Sequence, residues 1–232
     1  MLTIPGYRIL DRIYSRSKTD VYRGIAESDE KPVVIKVLSI EYPTFNELVQ
    51  FRNQYSITKN LNVTGVVKTI ALEKYRNSFA LVMEDIGGIS LAEYVANLGV
   101  EQLDDRSPNS SKSDLKKTSK LAINEFLQLA IQIVKILEEL SQNQIIHKDI
   151  KPQNILINPK TKQIKLIDFS ISSLLPQENQ EIQNPKTLEG TLAYISPEQT
   201  GRMNRCIDYR TDFLLLGNYL LRIADGATSL CI

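Results

Sequence analysis

Two short stretches of this chain carry oxygen ligands at spacings suited to chemistry on phosphate. The first is His147-Lys148-Asp149-Ile150-Lys151-Pro152-Gln153-Asn154, in which Asp149 and Asn154 stand five residues apart. At that spacing an Asp and an Asn can face a shared site from one loop. The second is Asp168-Phe169-Ser170, whose Asp follows a short apolar-turn-apolar pattern and can add another carboxylate. Phosphoryl transfer needs cations that bridge phosphates, ligands for those cations, and a carboxylate that positions the attacking hydroxyl. Magnesium takes a few hard oxygens from protein and leaves its remaining positions to water and phosphate. The residue types and their order fit that reaction. Against it stands the reading of Asp149, Asn154 and Asp168 as ordinary turn and capping residues. His147 is the only histidine and reads as a packed loop residue rather than a base.

These residues must be held by the elements around them. Residues 7–95 read as strands with one helix. The strands include the β-branched run Val33-Val34-Ile35-Lys36-Val37-Leu38 and a second run, Phe79-Ala80-Leu81-Val82-Met83. Between them, Leu48, Phe51, Tyr55 and Thr58 fall at helical spacing within 46–60. The stretch 101–120, EQLDDRSPNSSKSDLKKTSK, has little to bury and predicts a mobile loop. Leu121 to Asn143 is the clearest helix: Phe126, Ala130, Ile133, Leu137 and Leu140 alternate at spacings of four and three, with Leu129, Val134 and Ile136 widening the stripe. Ile155-Leu156-Ile157 and Ile164-Lys165-Leu166-Ile167 predict two short strands joined at Asn158-Pro159-Lys160.

Together these stretches resemble a eukaryote-type serine/threonine protein kinase domain. His147 to Asn154 is similar to the catalytic loop of that family, and Asp168-Phe169-Ser170 to its metal-binding Asp-Phe-Gly triplet. The resemblance implies Asp149 as base, Lys151 on the transferred phosphate, and Asn154 and Asp168 on magnesium. It places Lys36 on the α- and β-phosphates of ATP, and Ile13 and Val21 beside the nucleotide. It also puts Met83 at the gatekeeper position and Glu84-Asp85-Ile86 at the hinge that reads adenine. Gly190-Thr191-Leu192-Ala193-Tyr194-Ile195-Ser196-Pro197-Glu198 resembles the end of an activation segment, with Thr187 a candidate for phosphorylation. Asp212 matches the buried Asp that holds the catalytic loop's backbone. The implied fold is α+β and two-lobed: a small β-rich lobe over 1–86 and a mainly helical, incomplete lobe over 87–217. The implied activity is ATP- and Mg²⁺-dependent phosphorylation of Ser/Thr hydroxyls on protein substrates. A lysine in an edge strand, its head snorkelling to water, is the alternative for Lys36.

Three departures qualify the resemblance. The glycine-rich lid has Tyr14, Arg16 and Thr19 where glycines are expected, leaving Arg16 or Lys18 to supply phosphate charge. Gln54 stands where a Glu should pair with Lys36, with Glu47 two turns earlier as a weak substitute. Lys148 replaces an Arg and loses bidentate docking of a phosphate. These features support a second reading, a pseudokinase or inactive fragment that only binds nucleotide or partners. The string Gly190 to Asp212 is similar to the kinase domain that opens large cyanobacterial sensor proteins, implying further sensor and histidine-kinase domains in the intact protein. The last fifteen residues, Asn218 to Ile232, lose the pattern. With suitable codons, deleting one nucleotide at Asn218 yields Ile-Ile-Phe-Tyr-Glu-Leu-Leu-Thr-Gly-Gln-Leu-Pro-Phe-Ala, so a frameshifted tail is expected. Such a chain would expose Phe213 to Leu216 and the 121–140 helix, leave Glu198 without its partner, and be unstable.

Bulk composition is that of an ordinary soluble globular chain. The chain has 232 residues, 42% hydrophobic and 24% charged, with a net charge of +1. That balance gives no reason to invoke nucleic acid or a membrane surface. Cys206 and Cys231 cannot form a disulfide framework, which suits the cytoplasm. No signal peptide or apolar membrane span is legible.

Overall fold

The computed structural model describes residues 2–16, 18–104, 121–175, 195–200 and 207–224, with backbone alone at 16, 99–104, 200 and 221–224. The chain divides into two units. One comprises Met1–Gly87 with Asp168–Ser172, the other Gly88–Ile167 with Ser173–Ile232.

The first unit is built on a five-stranded antiparallel sheet. Its strands are β1 (Tyr7–Arg16), β2 (Thr19–Ala26), β3 (Pro32–Leu38), β4 (Thr69–Tyr75) and β5 (Ser78–Glu84), in the order β1-β2-β3-β5-β4. Strand alternation sorts β3 into two faces. Val33, Ile35 and Val37 join Ile4, Ala26, Ala80 and Val82 in one buried cluster. Lys36 therefore points the other way, with Val21 and Leu81 opposite it in register. Gly24 is required where β2 meets β1: a Cβ there would lie 2.8 Å from the Arg8 carbonyl oxygen. The register of β1 shifts between Ile9 and Asp11 and again between Arg12 and Tyr14, which leaves Leu10 and Ile13 as bulge residues, 54% and 42% exposed.

Helix α1 (Phe45–Thr58) connects β3 to β4 and starts with a capping box. The Thr44 hydroxyl accepts from Glu47 N–H, and the Glu47 carboxylate accepts from Thr44 N–H. Its buried positions, Phe51, Gln54 and Thr58, recur at i, i+3 and i+7. The Thr58 hydroxyl donates to the Gln54 carbonyl at 2.7 Å and shares a 2.6 Å hydrogen bond with Thr69 on β4, which fixes the last turn of the helix.

The second unit begins with β6 (Ile89–Ser90), whose Ser90 hydroxyl accepts from Glu93 N–H at the start of α2 (Leu91–Asp104). Sequence reasoning missed this helix. The signal was Leu91, Tyr94 and Val95, all buried, at i, i+3 and i+4. The polar composition of 101–120 concealed it, and 101–104, expected as loop, continue the helix. Helix α3 (Ile123–Gln142) buries Leu129, Ile133, Ile136, Leu137 and Leu140. Val134, assigned to that stripe, instead joins Ile123, Leu127 and Ile131 on a face 41–73% exposed.

Strand β7 (Ile145–Ile146) follows, then a 3₁₀ turn at Pro152–Asn154 and the hairpin of β8 (Ile155–Ile157) and β9 (Ile164–Leu166). Asn158 caps the hairpin turn by accepting from Lys160 and Thr161 N–H. β6 extends this hairpin to three strands, and β10 (Ser173–Leu174) pairs with β7. A polar cluster ties α2, α3 and the hairpin together. Tyr94 Oη donates to Glu125 at 2.6 Å, Lys162 bonds both, and Gln132 accepts from Ile164 N–H while donating to the Lys162 carbonyl.

Helix α4 (Arg210–Ala224) buries Thr211, Asp212, Leu215, Leu216 and Tyr219. It crosses Gly217 and Asn218 without a break; of Phe213 to Leu216, expected to lie exposed, Leu215 and Leu216 are covered, Phe213 is half-buried and Leu214 is exposed as expected. Glu198, expected to lack a partner, accepts the Thr211 hydroxyl at 2.6 Å. Among the described residues no helix is long and apolar enough to cross a membrane.

Candidate active site

The second unit holds the loop between β7 and the 3₁₀ turn. Asp212 on α4 is buried and accepts the backbone N–H of His147 at 2.7 Å and of Lys148 at 2.8 Å. Burial pushes its carboxyl above the usual carboxylate range, opposed by His147 and the two N–H donors. The clamp secures a strained backbone, since Lys148 has φ +67°, a left-handed conformation unfavourable for a long side chain. Gln199 adds a second hold by donating to the Lys148 carbonyl at 2.9 Å while accepting from Ser196 N–H and Oγ. His147 is fully buried. Its Nδ1 accepts from Asp149 N–H and its Nε2 donates to the Ile167 carbonyl, a structural role in the loop.

On this base the loop brings Asp149, Lys151 and Asn154 together. Asp149 Oδ2 accepts from Lys151 Nζ at 2.6 Å and from Asn154 Nδ2 at 2.8 Å. Asn154 Nδ2 also donates to the Asp149 carbonyl at 2.9 Å. The donor end of the amide is thereby committed, and Oδ1 is the end left for a hard cation. Ile167 N–H donates to the Asn154 carbonyl, closing the hairpin before Asp168.

The first unit holds the remaining sequence-predicted residues. Lys36 Nζ donates to Asp168 Oδ1 at 2.9 Å and to Gln54 Oε1 at 3.0 Å, and lies 5.9 Å from the centre of the Phe51 ring. Lys36 is thus no snorkelling surface lysine; its side chain is 15% exposed. Gln54 also donates to Met83 Sδ at 3.8 Å, so Met83, expected at the gatekeeper position, and the strand lysine meet at one amide. Asp168 has φ +67°, a turn that presents its carboxylate to Lys36.

Glu47 does not stand in for Gln54. It forms the helix cap and an ion pair with Lys18 at 2.9 Å. Lys18, with Thr44, holds the Glu47 carboxyl down to about 2. The same pair engages Lys18, one of the two side chains expected to offer charge to phosphate.

The segment Glu84-Asp85-Ile86, expected as the hinge, is braced. Glu84 N–H donates to the Lys68 carbonyl, and Arg23 pairs with Asp85 at 2.6 Å, whose other oxygen accepts from Gly87 N–H. Ile86 is half-buried. Val21 faces Lys36 across the sheet, while Ile13 sits on its bulge. Thr187 and Thr191 lie outside the described residues.

Sequence reasoning missed Asn53. Its Nδ2 reaches the carbonyls of Ser172 at 2.8 Å, Ser170 at 3.1 Å and Phe169 at 3.5 Å. An amide bonded to backbone leaves no spacing signature, and only its place beside Gln54 could have suggested it.

The chain is similar to known proteins over most of its length. The model of the protein kinase domain matches residues 8–231. The serine/threonine-protein kinase PrkC of Bacillus subtilis is 28% identical over 221 residues, covering 95% of this chain and 30% of PrkC. The serine/threonine-protein kinase PknA of Mycobacterium tuberculosis is 28% identical over 200 residues, 85% of this chain and 42% of PknA. The yeast serine/threonine-protein kinase PKH2 is 31% identical over 182 residues, 72% of this chain and 15% of PKH2. The chain spans about 30% of the length of bacterial relatives such as PrkC. Matched over residues 8–231, this chain belongs to the protein kinase domain family.

Proposed function

We propose that the chain is the catalytic domain of a protein that transfers the γ-phosphoryl group of ATP to serine or threonine hydroxyls of other proteins. The observation that carries this reading is the seat of Asp149, whose carboxylate is aligned by Lys151 and Asn154. Asp149 orients the attacking hydroxyl and takes its proton as the new O–P bond forms and the bond to ADP breaks. Lys151 offsets charge on the moving phosphoryl group. Lys36 grips the α- and β-phosphates, and Met83, Glu84 and Ile86, with Val21 and Ile13, accommodate the base and sugar. The hard oxygens of Asn154 and Asp168 fit magnesium. When bound, magnesium neutralises phosphate charge.

A non-catalytic reading draws support from Gln54 and the glycine-poor lid. Gln54 nevertheless keeps Lys36 in place, and the relatives are named as kinases. A cytoplasmic location fits the cysteine usage. The likeness of Gly190 to Asp212 to sensor-linked kinases supports further sensor domains in the intact protein. A shifted reading frame after Gly217 is supported by the one-nucleotide alternative and is checked by sequencing codons 214–220.

Transfer of label from radioactive ATP by the intact gene product, beside this chain, tests the function. Asp168→Ala is expected to abolish magnesium-dependent ATP binding. Asp149→Ala is expected to keep binding and lower the rate by about 10²–10⁴. If both variants turn over like the parent, the assignment is wrong.

A further inference from the structure

Around Lys36 the first unit forms a closed ring of contacts. The Asp168 carboxylate meets the Lys36 ammonium, and Lys36 meets the Gln54 amide. The neighbouring residue on α1, Asn53, turns its own amide onto the carbonyls of Phe169, Ser170 and Ser172, one to four residues beyond Asp168. The chain then returns to Asp168 through the backbone. An amide nitrogen has two hydrogens, so Ser170 and Ser172 take the principal bonds and Phe169 shares one at longer range. Three carbonyls converge on one nitrogen because the left-handed turn at Asp168 and the Ser172 N–H to Phe169 carbonyl bond coil the segment. Phe169 itself is 1% exposed, so the segment is anchored at its apolar end as well.

We propose that Asn53 is a positioning residue that latches α1 to the Asp168–Ser172 segment, and that this latch supplies the hold given up by having a neutral Gln at position 54. The Lys36–Gln54 bond keeps its charged donor, but α1 offers no opposite charge there, so the Coulomb attraction of an ion pair is missing. Two bonds from Asn53 to backbone restore a comparable hold on the same helical turn. They act on the segment that carries Asp168, so the position of its carboxylate depends on Asn53. This inference rests on the proposed function for its consequence, but its geometry stands without it.

The test uses the full 232-residue chain. Asn53→Asp keeps the shape and removes the donor. Asn53→Ala removes both, and covers the case in which the Asp variant does not fold. Each is made alone and in a Gln54→Glu background, where Lys36 regains an ionic partner on α1. Hydrogen exchange across residues 169–172 and the magnesium concentration giving half-saturation with ATP are measured. In the parent background, exchange and the magnesium requirement are each expected to rise by about tenfold, the scale of one to two lost hydrogen bonds. In the Gln54→Glu background the same change is expected to be about threefold or less, the coupling that neighbours on one turn show in a double-mutant cycle. Unchanged exchange in the parent background, or equal losses in both backgrounds, overturns the latch. Exchange that changes as expected in a chain that transfers no phosphate leaves the latch standing and removes the proposed function instead.

Discussion

The backbone before Asp149 is fixed by a buried carboxylate, whereas the Lys36 side chain and the segment after Asp168 are held to α1 by two neutral amides. Asp212 takes two N–H donors below 3 Å within the second unit. Gln54 and Asn53 do the comparable work in the first unit with neutral side chains, at 3.0 Å to Lys36 and at 3.1 and 2.8 Å to the carbonyls of Ser170 and Ser172. Each hold bears on a non-glycine residue in the left-handed region, Lys148 in the second unit and Asp168 in the first, a strain of about 1–3 kcal/mol that persists only under restraint. In the first unit that restraint is shared among the Lys36 ion pair and the two amides of α1, whereas in the second it falls mainly on one carboxylate. A buried charge is costly to place and costlier to strip of its partners, so it suits a part that is never released. Neutral amides are cheap to bury and easy to break, and suit a part whose grip can be adjusted.

The comparison is broken most directly at Asp212. Asp212→Ala leaves the N–H groups of His147 and Lys148 buried without their acceptor, at about 1–3 kcal/mol each. A loss of about 2–5 kcal/mol in urea unfolding is expected, together with loss of transfer activity. A loss below about 1 kcal/mol would show that Gln199 and the surrounding packing hold the loop unaided.

A smaller effect is expected where charge acts away from the loop. Tyr94→Phe removes the hydroxyl shared by Glu125 and Lys162 but leaves their 2.8 Å ion pair. Destabilisation of about 1 kcal/mol is expected in the same unfolding measurement, with transfer unchanged.

The smallest concerns the surface ion pair of the first unit. Glu47→Gln keeps a capping-box residue at the third position of α1 but loses the charge on Lys18. Because the Glu47 carboxyl is lowered from 4.5 to about 2, its contribution is present above the ordinary carboxylate range and is lost as pH falls from about 4.5 towards 2. The variant should therefore be less stable than the parent at pH 7 by under about 1 kcal/mol, the scale of exposed pairs. The two stability curves should meet near pH 2. A gap that persists there would mean that shape, not charge, is what Glu47 provides.

Much of this was legible in the residues. Asp149, Asn154 and Asp168 could be read because their chemistry restricts residue type, and hairpin and loop lengths restrict their spacing. Strands β3 and β5 and helices α1 and α3 could be read because burial imposes a period. What escaped has neither constraint. Asn53 binds backbone carbonyls, which every residue has, so no partner residue marks it. Thr44 and Glu47 do form a recognisable T-x-x-E cap, but the missing acid at position 54 drew Glu47 into the wrong role. Helix α2 was obscured by the polar run that follows it, although Leu91, Tyr94 and Val95 already showed its buried side.

The left-handed turn at Asp168 also limits how this chain can drift. A single-base change converts an Asp codon to Asn, Gly, Glu, His, Tyr, Ala or Val. Of these, Gly and Asn adopt φ near +67° most readily, while β-branched Val is the most strongly opposed. A lineage that gave up the proposed phosphate transfer but kept this scaffold would retain its backbone with Gly or Asn at 168, and would strain the turn with Val. Among descendants, the residue found at that one position would separate a domain that has exchanged catalysis for a scaffold role from one that is decaying.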